Sequence, residues 1–188
     1  VDELRAEGVD FVFNTPNDKS RPGYLKMGWQ QVGQLPTGLL PAGPLSLPRI
    51  AAARQPAAIW STPTDAGVPA LDALADDGDV EKLLGSLPPT AGVRTHRSPP
   101  YLRWRYGFEP LKYRALLCGA SPADGLLLFR VRQRGKAREL AVGDLLLPEP
   151  TPRVVRRLVR AALRETQADY ALGLRTVPAS GLLPLPGQ

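Results

Sequence analysis

Proline is the residue that most limits what this chain can fold into. The sequence holds 21 prolines in 188 residues, and they are concentrated in residues 35–48, 56–69 and 87–100. Proline lacks a backbone N–H group and fixes φ, so it is tolerated in the first turn of a helix but not inside a helix or a central strand. The middle of the chain is therefore expected to hold loops and short elements.

The first 35 residues predict alternating helices and strands. Residues 1–8 are typical of the last turns of a helix that ends at Gly8. Residues 9–14, VDFVFN, are nearly all apolar, as in a strand buried on both faces. A short helix with Pro22 in its first turn should follow and end before Gly28, and residues 29–35 alternate well enough for a second strand.

The second half of the chain predicts a different order of elements. A short helix should begin at Ser98, and residues 113–118, 125–132 and 137–147 read as three consecutive antiparallel strands. A glycine turn at Gly135 suits a hairpin between the last two strands. A helix beginning at Thr151 has valines and leucines on one face and arginines on the other, and residues 169–174 predict a final strand.

Single cysteine and histidine residues exclude several kinds of site. Cys118 cannot form an intrachain disulfide, and with His96 it provides no zinc ligand set, so we expect no metal. Cys118 is expected to be a small buried residue. His96 has no neighbouring nucleophile motif, which argues against a hydrolase. No apolar run approaches the roughly 20 residues of a membrane span and no signal-peptide layout is present, so we expect a cytoplasmic protein, with no membrane partner, that is part of a longer polypeptide.

Residues 14–29, NTPNDKSRPGYLKMGW, carry the pattern most indicative of chemistry. Its positions are Asn17, Ser20, Tyr24, Lys26, Gly28 and Trp29. This segment resembles the signature of the GNAT superfamily of acyl-CoA-dependent N-acyltransferases, which places an Asn, a small residue, a Tyr and a Gly-aromatic pair at this spacing after a buried strand. Ser20 stands where Ala is commoner in the family, and Trp29 stands where Phe is commoner.

The resemblance implies a reaction and a set of site residues. In this family the pantetheine arm of the cofactor lies in an opening beside the strand, and the tyrosine hydroxyl points at the cofactor sulfur. A phenol with an ordinary pKa near 10 keeps its proton at neutral pH and can protonate a departing thiolate. Tyr24 would then be the general acid, and Asn17, Ser20 and Lys26 would bind the cofactor. Acetyl-CoA is the implied cosubstrate, and a primary amine of a small molecule or protein is the implied acceptor.

The second half of the chain resembles the same family more weakly. The order of elements from residue 113 to residue 174 is similar to the middle of a GNAT fold, in which a glycine-rich loop binds pyrophosphate at a helix N-terminus. At that place this chain has Pro148, Glu149, Pro150, Thr151 and Pro152. Prolines have no N–H to donate, and Glu149 would repel phosphate. This half is therefore not expected to bind coenzyme A in the usual way.

In the GNAT-like domain that contains Tyr24, the glycine-rich pyrophosphate loop would precede residue 1. We therefore predict an α/β fold with a GNAT-like mixed, mostly antiparallel sheet flanked by helices. Residues 1–40 would be the C-terminal part of a catalytic GNAT domain, residues 41–97 a proline-rich connecting region with short helices, and residues 98–188 a second, degenerate GNAT-like domain. The pattern leaves homo-oligomerisation open.

Two other functions fit parts of the sequence. A formal charge of +6, a basic hairpin and the arginine face of the helix from Arg153 to Arg164 suggest a polyanion-binding protein. The hairpin residues are Arg130, Arg132, Arg134, Lys136 and Arg138. Nucleic acid is the less favoured partner, since no nucleic-acid motif accompanies the charge. A non-catalytic GNAT-like interaction module is the other alternative. Residues 101–106, YLRWRY, resemble a segment of tandem acetyltransferases, and Trp104 is expected to be a packing anchor.

Overall fold

The computed structural model describes residues 2–53, 56–89, 95–174 and 183–184. The chain divides into two compact units, Val1–Gln34 and Leu35–Gln188. In the first unit, helix α1 spans Asp2–Ala6 and helix α2 spans Arg21–Lys26. The chain reverses after each helix at a glycine with positive φ, 77° at Gly8 and 87° at Gly28. Both helix ends agree with the sequence-based prediction, because glycine is the residue that adopts this conformation without strain.

The two strands predicted in this unit are wrong. Residues 9–14 and 29–35 form no strand, and Phe11 and Phe13 are 57% and 73% exposed. A strand requires a neighbour to satisfy its backbone N–H and C=O groups. The described residues of the first unit contain no strand that could be this neighbour, so the β-forming composition of VDFVFN is left without a partner.

The second unit is built on a sheet whose described residues form eight strands. They are β1 (Thr37–Pro41), β2 (Ile59–Thr62), β3 (Val68–Pro69), β4 (Arg114–Leu117), β5 (Leu126–Arg134), β6 (Ala137–Leu146), β7 (Tyr170–Leu174) and β8 (Leu183–Pro184). Their order is β3-β4-β5-β6-β7-β1-β8, with β2 beside the second half of β5. Strands β6 and β7 run parallel, and the other described pairs are antiparallel.

Helices flank this sheet. They are α3 (Leu47–Ala52), α4 (Ala70–Ala73), α5 (Asp77–Ser86), α6 (Pro99–Tyr106) and α7 (Pro152–Thr166), with 3-10 turns at Pro44–Ser46, Glu109–Leu111 and Pro122–Asp124. The fold is thus α/β, with a mostly antiparallel open sheet, and at a coarse level it fits a GNAT-like fold. The proline-rich residues 41–97 contain three short helices, as expected, and also contribute β2 and β3 to the sheet. The division of the chain at residues 40 and 97 stays a prediction.

The core lies on both faces of the sheet because β5 is apolar on both. Leu127 and Phe129 face α7, whereas Leu126 and Leu128 face α4, α5 and α6. All four side chains are fully buried, which is the pattern that alternate residues of a covered strand produce. Burial of each contributes roughly 1.5–3 kcal/mol to stability. The predicted order of three strands, helix and strand is confirmed, as is the hairpin turn at Gly135, whose φ is 57°.

Helix α6 corrects the expectation for Trp104. Ser98 begins the helix by accepting a hydrogen bond from the backbone N–H of Tyr101 over 3.3 Å. Leu102 and Tyr106 are buried against the sheet, but Trp104 is 75% exposed. Residues four apart share a helix face, and the residue midway between them lies on the other side. Trp104 is therefore not a packing anchor of this unit.

Candidate functional site

Asn17 and Ser20 lie together at the entrance to α2. Asn17 Oδ1 accepts hydrogen bonds from the backbone N–H groups of Lys19 and Ser20 over 3.0 and 2.9 Å. It also accepts from Ser20 Oγ over 3.1 Å. Ser20 occupies the N-cap position of α2 without a capping hydrogen bond from its own side chain. Both residues shape the turn before the helix, and their role toward a cofactor stays a prediction.

Tyr24 lies on α2 against Trp29. The tyrosine is half-buried, and its ring meets the indole edge to face with 5.1 Å between centroids. Gly28 turns the chain back, and the N–H of Trp29 donates to the carbonyl of Tyr24 over 3.1 Å. Lys26 is exposed in the last helical turn. The predicted opening beside a buried strand is not formed within residues 2–34, because residues 9–14 are unpaired, and the roles of Tyr24 and Lys26 stay predictions.

The parallel strands β6 and β7 of the second unit pair over only part of the length of β6. Strand β6 pairs with β7 from Glu139 to Ala141, whereas β6 continues to Leu146. The pairing of β5 with β6 shifts register at Gly143, which bulges between the partners of Leu128 and Phe129. A Cβ on Gly143 would lie 3.0 Å from the ring of Tyr106. Beyond Ala141 the two strands stay in contact, since a Cβ on Gly173 of β7 would lie 3.0 Å from the Cβ of Val142.

Asp144 follows this bulge and collects hydrogen bonds. Its carboxylate accepts from the hydroxyl of Tyr106 and from Arg97 Nη2 over 2.8 Å, and Arg105 Nε lies 3.7 Å away. Burial raises the pKa of Tyr106 above its usual range, and the Asp144 charge and hydrogen bond raise it further. The phenol therefore stays protonated and donates to Asp144.

Glu139 is the buried centre of a second polar cluster. Its side chain is 1% exposed, and it accepts from Arg132, from Arg134 Nε over 3.1 Å and from the Tyr170 hydroxyl over 2.7 Å. The pKa of Tyr170 is raised above its usual range, first by burial and then by the hydrogen bond to Glu139. Sequence reasoning missed this cluster. The hairpin register places Arg132 opposite Glu139, so counting back from the Gly135 turn would have found it.

Arg130 lies on β5, as Arg132 does, and contacts aromatic rings. Its guanidinium lies 5.7 Å from the ring centroids of both Trp60 and Tyr113, and it donates to the carbonyl of Trp60 over 3.2 Å. Burial, with the charge of Arg132 adding to it, lowers the pKa of Arg130. Three arginines of the predicted basic hairpin are thus engaged inside the unit and are not a free cationic face.

The N-terminus of α7 offers few amide groups to an anion. Pro148, Pro150 and Pro152 have no N–H. The N–H of Thr151 donates to the carbonyl of Glu149 over 2.8 Å, and Thr151 Oγ1 accepts from the N–H of Val154 over 3.3 Å. This loop therefore has fewer amide donors for a pyrophosphate than a glycine-rich loop would have.

Within residues 2–53, 56–89, 95–174 and 183–184, no group of three or more His, Cys, Asp or Glu side chains is placed to hold a metal ion. In the same residues, no helix combines the length and apolarity needed to cross a membrane. Comparison of the chain with protein-family models, with curated proteins and with solved structures finds no match.

Proposed function

We propose that this chain belongs to a GNAT-type N-acetyltransferase that moves an acetyl group from acetyl-CoA directly to a primary amine. The observation that carries the proposal is the segment from Asn17 to Trp29. It forms a turn held by the side chain of Asn17, then helix α2, which ends before Gly28. The Tyr24 ring is left half-exposed beside Trp29. The coarse fold of the second unit adds support, since it is a mostly antiparallel open sheet, flanked by helices, that contains one parallel pair, β6 and β7.

The proposed step gives Tyr24 one task. The amine attacks the thioester carbonyl, a C–N bond forms, and the C–S bond breaks to release coenzyme A as a thiolate. Tyr24 donates its phenolic proton to this sulfur as negative charge develops on it. Asn17, Ser20 and Lys26 contact the cofactor, and a general base, to which no residue is assigned, removes the proton of the amine.

The two units take different parts in this proposal. Acetyl-CoA is assigned to the domain that contains Tyr24. The second unit is a degenerate GNAT-like domain, because the prolines before α7 and the bonded amides of Thr151 and Val154 remove the usual pyrophosphate donors. The same observation favours the second candidate function, a non-catalytic interaction module, for this unit taken alone.

Polyanion binding through the hairpin is less well supported. Glu139 engages Arg132 and Arg134, and the rings of Trp60 and Tyr113 contact Arg130. This face should contribute little to retention on heparin, because contacts to the sulfate groups of heparin require free cations.

The enzyme assignment is tested on the complete gene product. Acetyl-CoA is mixed with a panel of small-molecule and peptide primary amines, and the released thiol is followed spectrophotometrically. We expect thiol release that saturates with amine concentration and exceeds the amine-free control. A panel that releases no thiol above this control, from a protein that also fails to bind acetyl-CoA in calorimetry, would remove the enzyme assignment and leave the interaction module.

A further inference from the structure

An open cleft lies in the second unit between the end of β1 and α7. It has a volume of about 330 Å³ and is lined by Leu40, Pro41, Gly43, Pro44, Leu47, Arg156 and Arg160. One wall is apolar and rich in proline, and the other carries two guanidinium groups. Clefts that bind small molecules begin at roughly this size and combine an apolar lining with a few polar groups.

The two arginines of the cleft lack counter-charges. Within the part of the chain that the structure describes, neither Arg156 nor Arg160 forms an ion pair or a side-chain hydrogen bond. They are four residues apart on α7, which places them side by side on the helix surface. Like charges at this spacing destabilise a helix, and a bound anion would relieve the repulsion.

The rest of α7 adds to the positive field at the cleft. Arg153, Arg157 and Arg164 are also exposed on this helix. Arg153 lies in its first turn, where the helix dipole favours negative charge rather than positive charge. A bound anion near this end of the helix would offset that cost.

We propose that this cleft binds a small organic phosphate monoester, with the phosphate between Arg156 and Arg160 and an apolar body against Leu40, Pro44 and Leu47. A dianionic phosphate matches two guanidinium groups in charge, and its oxygens accept from the N–H forks of both. A carboxylate carries one charge and is satisfied by one arginine. This site shares no residue with the segment assigned to acetyl transfer and does not depend on that activity.

The test uses the 188-residue chain and phenyl phosphate as the probe, at low ionic strength, in titration calorimetry. We expect saturable binding of one phenyl phosphate per chain. Exchanging Arg156→Gln together with Arg160→Gln should weaken binding by about tenfold or more, since each charge-assisted pair contributes on the order of that factor. The matched control, Arg157→Gln with Arg164→Gln, removes the same charge from the same helix outside the cleft and should change the affinity less than about twofold.

Two further variants sharpen the result. Arg156→Lys with Arg160→Lys keeps the charge and the helix propensity and should still lose affinity, because lysine lacks the planar fork. Leu47→Ser should weaken phenyl phosphate and leave inorganic phosphate unchanged. Equal losses in the two glutamine double variants would assign the attraction to the general field of α7 and overturn the proposal. The absence of saturable binding to the unaltered chain would overturn it as well.

Discussion

The hydroxyl of Tyr170 lies 2.7 Å from Oε2 of Glu139, directly across the parallel pair of β6 and β7. Both side chains are buried, and Arg132 and Arg134 donate to the same carboxylate. A carboxylate in this setting is tolerated because its charge is paired and its oxygens accept several hydrogen bonds. The parallel pairing of β6 with β7 is therefore tied to one buried charge.

Replacement of Glu139 should destabilise the second unit strongly. Glu139→Ala leaves the largely buried guanidinium group of Arg132 without this carboxylate, and breaking a buried ion pair typically costs about 3–5 kcal/mol of unfolding free energy. Glu139→Gln keeps the shape and should cost less. Urea unfolding measures both changes. The control is Glu81→Ala on the exposed face of α5, for which a change within about 0.5 kcal/mol is expected. A similar, small effect at both positions would contradict the role of the cluster.

The buried tyrosines predict a loss of stability in alkali. Burial and their carboxylate partners raise the pKa of Tyr106 and of Tyr170 in the folded chain, whereas an unfolded tyrosine titrates near pH 10. The folded state therefore holds these protons more tightly. The stability they contribute is fully present below about pH 10 and falls as pH rises toward the raised pKa, by up to about 1.4 kcal/mol per pH unit for each residue.

Urea unfolding at a series of pH values from 9 to 11 checks this dependence. Tyr170→Phe removes one titrating group and should give a shallower decline above pH 10 than the unaltered chain. A decline of equal slope in both proteins would show that folding does not raise the pKa of Tyr170.

Leu102 and Trp104 should differ sharply when each is changed to alanine. Leu102 is fully buried between α6 and the sheet, so its removal should cost about 2–5 kcal/mol. Trp104 is 75% exposed, and Trp104→Ala should change the unfolding free energy by less than about 0.5 kcal/mol. Equilibrium urea unfolding of the two variants compares them directly. If Trp104→Ala lowers the unfolding free energy as much as Leu102→Ala does, Trp104 is a packing residue after all.

The second half of the fold followed from local signals in the sequence. Its run of four apolar residues, Leu126–Phe129, predicts a strand covered on both faces, and Thr151 with the valine and leucine face of α7 predicts a capped amphipathic helix. In the first half the helix ends at Gly8 and Gly28 were predictable because they rest on single residues. The strand over residues 9–14 was not, because a strand exists through a partner that no local pattern specifies.

The polar interior was less accessible to sequence reasoning than the apolar core. Alternation placed Arg130, Arg132 and Arg134 on one face but did not reveal whether that face meets solvent or a buried acid. The hairpin register places Glu139 opposite Arg132, so this face meets a buried acid. Trp104 shows the converse limit, since the size of an aromatic side chain indicates a core position on average, whereas the four-residue spacing of Leu102 and Tyr106 determines which face of α6 is buried.

The 188-residue chain should bind acetyl-CoA weakly or not at all. The loop before α7 has three prolines without N–H groups, and the amides of Thr151 and Val154 are bonded within the chain. A pyrophosphate would therefore find too few donors in the second unit. Calorimetric titration with acetyl-CoA measures this affinity, and coenzyme A is the comparison ligand. Tight, saturable binding would place a complete cofactor site within these residues.

Replacement of Tyr24 by phenylalanine in the complete gene product should lower turnover with little effect on affinity for acetyl-CoA. The substitution removes the proposed proton donor and keeps the ring that packs on Trp29 at 5.1 Å between centroids, and loss of a general acid typically costs about 10²–10⁴-fold in rate. Thiol release gives the turnover number, and calorimetry gives the affinity. Lys19→Gln, exposed in the turn before α2 and assigned no role, is the control and should leave both unchanged. Unaltered turnover in Tyr24→Phe would remove Tyr24 from the mechanism, because no other group has been assigned to protonate the leaving sulfur.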